Sequence, residues 1–457
     1  MRGVRLFSFL GIPAMAGLCL IGLLSSPAAA QDVTYAAIDD VLNHGSVGGI
    51  QAYSLGTRTC NIHPTGSLAW INNGTPGVGF DMYRLSGGRL VQIGMSWVKH
   101  ACCVSNSNNA LCEGTCSGTG FGLRPKCMDT YSASWNSGQG RLGPRSGINA
   151  WTSSFAGLPG GSGNAIFRRL QVQVTDLQTA GAQYFVGGTY VCSEEGMQPT
   201  QRNNSSYRRV TVNQTNFNLS LMDTTVRYVP AIQAWRDHGL GPNMVDPSVT
   251  VAFIDVPSEG RYWYAHKVTN LGGGQYRYDY GVFNLNSDRN GGSMSVPIPP
   301  GTLVTNVGHH KPFHHSGEPA SFNDNWTSSV TSTSVSWSTP QTFSQNANSS
   351  ALRWGTMHTY WFTANRPPAA GTATLGLFKP HTPQSVVMNV AVPQGCLSQT
   401  GDMNSDTKRD GDDIEPFVGC MINGSYPGTD CACADMNSDG AVDSDDEYLF
   451  VKALILE

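Results

Sequence analysis

Charged side chains are scarce in this 457-residue chain: Asp, Glu, Lys and Arg together make up 13% of it. That shortage excludes a long helical bundle, which needs far more Glu, Lys, Ala and Leu. Long apolar runs are missing too. After residue 30 nothing approaches the roughly 18 consecutive apolar residues of a membrane helix, so no membrane span is expected. The cysteines never form a pair of C-x-x-C knuckles, which argues against the usual structural zinc sites. Glycine, by contrast, contributes 53 residues, well above the usual share of about 7%. Asn, Ser and Thr are also abundant, and 40% of the residues are apolar. Such a composition builds many short strands and tight turns around real cores. A chain of this length is expected to divide into two to four domains.

The first thirty residues read as a secretory signal peptide. Arg2 and Arg5 precede an apolar stretch over 6–24, and Ala28, Ala29 and Ala30 offer a small-residue cleavage site before Gln31. Leu18 before Cys19 is a poor match to a lipid-attachment site, so release is expected, and with it a secreted, extracellular or cell-surface location. Residues 396–457 then carry fourteen acids against Lys408, Arg409 and Lys452, a net charge of −11. Residues 31–395 hold only eighteen acids and come to about +5. A mildly basic body thus bears a short acidic tail. That basicity is too weak to argue for a nucleic-acid partner, and export argues further against one.

Eleven cysteines follow the cleavage site: Cys60; Cys102, Cys103, Cys112, Cys116 and Cys127; Cys192; and Cys396, Cys420, Cys431 and Cys433. Outside the cytoplasm such groups form disulfides. The four of the tail allow two bridges in three connectivities. The seven of the body leave one that is free, bridges to a partner or has another role. Zinc is the alternative for the group between Cys102 and Cys127.

The body reads as β throughout. Short apolar or alternating strings at 172–175, 184–186, 210–212, 249–253 and 276–282 are bounded by Gly, Asn, Pro or Asp. Segments 271–274, 284–292 and 297–301 are turns by composition. The predicted class is mainly β, an antiparallel β-sandwich body with a small α-helical calcium-binding module at the C-terminus. The expected divisions are a signal peptide over 1–30, a Cys- and Gly-rich β domain over 31–241, a β-sandwich over 242–394 and a calcium-binding module over 395–457. Val335, Trp337, Trp354, Tyr360 and Phe362 are the expected aromatic and apolar filling of the sandwich.

The tail contains a repeat with a period of 33 residues: DMNSDTKRDGDD at 402–413 aligns with DMNSDGAVDSDD at 435–446. Asp402, Asn404, Asp406, Asp410 and Asp413 stand at positions 1, 3, 5, 9 and 12 of the first loop. Asp435, Asn437, Asp439, Asp443 and Asp446 stand at the same positions of the second. Lys408 and Ala441 occupy position 7, where only the backbone carbonyl serves. This spacing lets a twelve-residue loop wrap a Ca²⁺ ion, a hard cation that takes six to eight oxygens. Two Ca²⁺ sites are therefore expected. After each loop an apolar pattern repeats, Phe417, Val418, Met421 and Ile422 against Phe450, Val451, Leu454 and Ile455, which predicts a short helix. Pro416 is tolerated only in a first turn, so the first of these helices must begin near Asp412 or Asp413. The Pro-, Gly- and Cys-rich segments before each loop are not expected to form entering helices.

A duplicated loop plus exiting helix, with Asp at position 12, resembles the type I dockerin module, over about 401–456. The resemblance implies two Ca²⁺ and docking on a cohesin-like or other surface protein, often to attach polysaccharide-degrading enzymes to a scaffold. Thr407 departs from the Gly of that pattern at position 6, where the chain turns sharply, and the four cysteines are additions. Gly411, Asp412, Ser444 and Asp445 occupy the positions that cohesins commonly read. The body is similar to exported bacterial proteins ending in dockerin-like tails, through QIGMSWVKH at 92–100, LGPRS at 142–146 and NSDR at 286–289. These phrases imply a family and no reaction.

Other candidates are less specific. His309, His310, His314 and His315, with His358, could ligate copper, zinc or iron, although neighbours on a strand point to opposite faces. Lys99 and His100 before Cys102 and Cys103 suggest a thiol with a nearby base, against the plainer reading of inert paired cysteines. Gly118, Gly120 and Gly122 read as a turn and not a phosphate loop. Polysaccharide hydrolysis would need two flanking carboxyls. Asp81, Glu194, Glu195, Asp255 and Glu259 are among the acids of the body, none in a recognisable catalytic phrase. The leading expectation is a secreted β-rich protein with a calcium-dependent docking tail. The alternative is a polysaccharide-active enzyme carried by that tail, with polysaccharide as a further partner.

Overall fold

A computed structural model describes residues 31–456; the expected signal peptide over 1–30, Cys19 and Glu457 lie outside the described residues. The chain is mainly β, and its strand ladders are antiparallel. Alternating apolar residues decide how its four main sheets stack. In strand Gln183–Val191, Tyr184, Val186 and Tyr190 face one core while Phe185 faces another. In strand Arg261–Gly272, Tyr262 and Tyr264 face one core while Trp263 and Ala265 face another. Side chains alternate across a strand, so a strand buried on both sides must lie in an interior layer.

The first of these interior layers is a nine-stranded sheet. Its centre is the hairpin of Gly77–Ser86 and Arg89–His100, flanked by Gln183–Val191 on one side and Leu170–Gln173 on the other. A four-stranded sheet built on Val33–Ala37, Thr57–Asn61 and Cys127–Tyr131 contributes Val33, Tyr35 and Cys127 to the core on one face. Two five-stranded sheets follow. One runs Val249–Asp255, Arg261–Gly272, Gln275–Asn284, Thr356–Ala364 and Val304–His310. The other runs Thr327–Val330, Ser334–Ser338, Gly291–Pro297, Pro368–Leu377 and Ser385–Pro393. They enclose Tyr262, Tyr280, Trp337, Tyr360 and Phe362. Apart from Ile148–Asn149 and Ser154–Phe155, which pair with each other, strands before 241 belong to the first pair of sheets and strands after it to the second. A shared core containing Leu90, Phe185, Trp235, Trp263 and Phe283 joins the two pairs.

Three expectations are revised. The strand expected over 172–175 stops at Gln173, which pairs with Ile50 at the end of a hairpin, and Val174–Leu177 forms a helical turn. Val174 still donates to the Gly49 carbonyl at 2.9 Å, and there the partner strand turns back through Gly48 and Gly49, which ends the ladder. Trp354 is not in the sandwich interior. It packs with Val98, Ile148 and Val191, and its indole N–H donates to the Arg145 carbonyl. The body has three thiols, not one: the bridges are Cys60–Cys112 and Cys116–Cys127, leaving Cys102, Cys103 and a buried Cys192. Among the described residues no helix is long and apolar enough to cross a membrane.

The tail begins where Ser385–Pro393 ends. Its helices are Ile414–Asn423 and Ser444–Leu456, and its bridges are Cys396–Cys433 and Cys420–Cys431. Asp410 caps a 3₁₀ turn, Gly411–Asp413, that leads into the first helix, which places Pro416 in its first turn. The buried Arg366 of the sandwich holds the tail. It pairs with Asp430 and donates to the Gly395 carbonyl at 2.9 Å.

Candidate functional site

The two tail loops close in the same way. In the first, the buried Asp413 accepts from the N–H groups of Met403 (2.7 Å), Asn404 (3.1 Å) and Asp410 (2.9 Å). In the second, the buried Asp446 accepts from Met436 (2.7 Å), Asn437 (3.1 Å) and Asp443 (2.9 Å). Asp402 receives the N–H groups of Asp406 and Thr407, and Asp435 receives those of Asp439 and Gly440. Asn404 and Asn437 accept from the same positions, 406 and 439, and Asp406 and Asp439 accept from Lys408 and Ala441. Asp410 and Asp443 each accept from the residue two further on.

Each loop position therefore has one structural partner pattern, used twice. The turn at position 6 has positive φ in both loops, +91° at Gly440 and +75° at Thr407. A β-branched residue is strained in that region. Burial raises the Asp435 carboxyl above its ordinary value, and the Asp446 and Asp439 carboxylates raise it further. The side chains at positions 1, 3, 5, 9 and 12 each present a carboxylate or amide oxygen, a ligand set that suits a hard dication. Among the described residues, no three His, Cys, Asp or Glu side chains are gathered into a ready-made cage, here or elsewhere.

The exiting helices divide their apolar residues between two tasks. Phe417 and Phe450 stack in the tail core with ring centroids 4.0 Å apart, and Met421 and Leu454 pack against that core. Their neighbours point outward instead: Val418 is 39% exposed, Ile422 70%, Val451 46% and Ile455 76%. A repeat of 33 residues has thus left apolar side chains exposed at matching positions of both helices.

The histidines do not come together as a ligand set. His309 and His358 approach at 3.2 Å beside Trp326 and Tyr360. His310 bonds the Gln92 carbonyl and His315 that of Met95, both across the layer interface. Burial holds His309 down to about 3 and His315 to about 4, so they are neutral near pH 7.

The acids singled out in the body are held by structural partners. Asp81 pairs with Arg145 at 2.8 Å, and Asp255 pairs with Arg261 at 2.7 Å. Glu194 and Glu195 accept the N–H groups of Ala69 and Val33, and Glu259 those of Asp288 and Arg289. A cleft of about 320 Å³ opens where the second and third layers meet, lined by Arg145, Asp288, His314, Arg353, Trp354 and Lys379 among others. Among the described residues Asp288 is the one carboxylate lining it, and it is paired with Lys379 at 2.7 Å. The three quoted phrases of the body meet near this junction: Gln92 accepts the Met357 N–H, Arg145 reaches the Gly355 carbonyl, and Asp288 lines the cleft.

His100 bonds the Asn73 carbonyl, and the amine that interacts electrostatically with Cys102 and Cys103 is that of Lys99. Gly118, Gly120 and Gly122 lie in the loop closed by Cys116–Cys127, with a strand following. Arg366 carried no sequence signal, because its partner Asp430 lies 64 residues away.

No family model matches the chain, and no curated protein matches it. Among solved structures, the partial N-terminal region of enterococcal surface protein aligns over 81% of this chain and 98% of that one, at 7% identity and a TM-score of 0.15. A value that low carries no argument about fold or role.

Proposed function

We propose that the protein is secreted and that its tail is a calcium-dependent docking module of the dockerin type, borne by a β-rich body. The observation that carries this reading is the twofold repetition of loop closure together with the outward apolar pairs Val418, Ile422, Val451 and Ile455. A module this small has no folding reason to expose matched apolar residues, whereas a docking helix pair does. Asp402, Asn404, Asp406, Asp410 and Asp413 would hold one ion with the Lys408 carbonyl. Asp435, Asn437, Asp439, Asp443 and Asp446 would hold the other with that of Ala441. When bound, the cations neutralise the carboxylates and so favour closed loops and ordered exiting helices. The partner then meets the helix face, by the chemistry of a cohesin-like surface protein. The hydrolase alternative gains nothing from the body acids, since each of the five has a structural partner.

The test is a calcium titration of the full chain by calorimetry, with thermal unfolding followed by far-UV dichroism and by tryptophan fluorescence. All ten tryptophans precede residue 395, so their fluorescence reports the body alone. Two ions are expected to bind per chain. At a hundredfold excess over Kd each stabilises the tail by about 2.7 kcal/mol, leaving the tryptophan transition unmoved. No heat and no shift at millimolar calcium would end the proposal.

A further inference from the structure

Outside the tail, the molecule holds an unexplained group of reactive side chains at the edge of the first two layers. Cys102 and Cys103 have Sγ atoms 3.1 Å apart, and neither is in a bridge. Cys103 is exposed and lines a cleft of about 290 Å³ with Asp129, Tyr131 and Trp135. Lys99 is 2% exposed, its Nζ has no hydrogen-bond partner, and it lies 3.8 Å above the Tyr131 ring. The Tyr131 hydroxyl accepts from the N–H groups of Cys102 and Cys103 and donates to the Cys103 carbonyl. The dithiol is therefore held by one aromatic residue, with a buried amine beside it.

We infer that Cys102 and Cys103 form a reversible redox couple that closes into a vicinal disulfide, with Lys99 as the proton acceptor. The oxidant class is a low-molecular-weight disulfide. The exposed Cys103 thiol, which its hydrogen bond to Cys102 holds above the ordinary thiol value, loses its proton to solvent, and the thiolate attacks the small disulfide, forming a mixed disulfide and expelling one small thiolate. Cys102 passes its proton to Lys99 and attacks the Cys103 sulfur, which breaks the mixed disulfide and expels the second small thiolate. Both leaving groups take up protons. Two electrons have moved from the protein dithiol to the small disulfide.

Geometry makes this couple unlike the four bridges already formed. Adjacent Cα atoms across a trans peptide are about 3.8 Å apart, below the usual disulfide range of roughly 4.4–6.8 Å. The closed ring is strained and consequently easier to reduce than the long-range bridges. Burial lowers the Lys99 amine to about 7, which leaves a neutral fraction near neutral pH. Cys102, Asp129 and Cys103 act on it to favour its cation, and Arg141 to disfavour it.

The experiment incubates the full chain in graded mixtures of reduced and oxidised glutathione, alkylates native thiols, and weighs the peptide that contains both cysteines. In oxidising mixtures that peptide is expected to be unalkylated and two hydrogens lighter. In reducing mixtures it takes two alkyl groups while Cys60–Cys112, Cys116–Cys127, Cys396–Cys433 and Cys420–Cys431 remain closed. Thiols that stay alkylatable in every mixture, a stable glutathione adduct, or a bridge to Cys192 would each overturn the inference. In Lys99→Met, closure at pH 7 should slow about tenfold and its pH profile should shift upward. An unchanged profile would overturn the role of Lys99.

Discussion

The body and the tail bury their apolar residues by opposite means. The body stacks four sheets, so its two inner layers are covered on both faces and side chains as large as Trp235, Trp337 and Tyr360 are wholly enclosed. The tail has too short a chain for that. Its buried core is Met403, Phe417, Phe450, Ala434 and three half-cystines, which is below the size at which a single core holds unaided. It carries half of the four bridges and a net charge of −11. Body stability resides in buried area. Tail stability resides in cross-links and, on the proposed function, in cations.

The sharpest way to break this contrast is Trp235→Ala. Trp235 fills the core shared by the second and third layers, and its indole donates to the Gly88 carbonyl at 2.9 Å. Its loss should cost about 3–5 kcal/mol, read as a lower midpoint of tryptophan-monitored denaturation. The same change should leave the dichroism of the tail helices in place. The converse variant removes Cys396–Cys433 with paired alanines. It should cost the tail about 2–5 kcal/mol without moving the tryptophan transition. A common shift of both transitions would show that the two regions unfold as one.

Acid separates the regions as well. All eleven histidines lie before residue 395. Burial lowers the pKa of His309 to about 3 and those of His266 and His315 to about 4. Below the ordinary value of 6.5 the unfolded chain takes up protons that the folded body refuses. Stability of the body therefore falls as pH drops from 6.5 towards 4. The tail contributes nothing to that loss through histidine. Scanning calorimetry between pH 7 and pH 4.5 should show it, and replacing His309 with Gln should flatten the dependence. The smallest effect is Thr407→Gly. Relief of a positive φ at a β-branched residue should stabilise the first loop by up to about 1 kcal/mol, set against the extra freedom of glycine when unfolded.

Much of the architecture was readable residue by residue. Tyr276, Tyr278 and Tyr280 alternate as a strand must, and Gln275–Asn284 is one. Pro416 limited where the first tail helix could begin, and Ile414–Asn423 begins there. The divided apolar face of the tail was only half readable. The pattern joined Phe417 to Val418 and Phe450 to Val451, and the fold buries the first of each pair and exposes the second. Trp354 was misplaced because large aromatic residues fill any core within reach, and nothing nearby in the chain names the core. Lys99 and His100 stood together as candidate bases, because their order in a strand does not say which of the two faces the cysteines.

Local rules reach as far as local forces do. Alternation, turn composition and the spacing of oxygen side chains depend on neighbours a few residues apart, so class, strands and the twin loops follow from the order of residues. Arg145 on Asp81, Arg366 on Asp430 and the amine of Lys99 above Tyr131 join segments 32 to 64 residues apart. Their meeting is set by how buried sheets stack. Stacking depends on the sum of many apolar contacts, and no short stretch of the chain carries that sum.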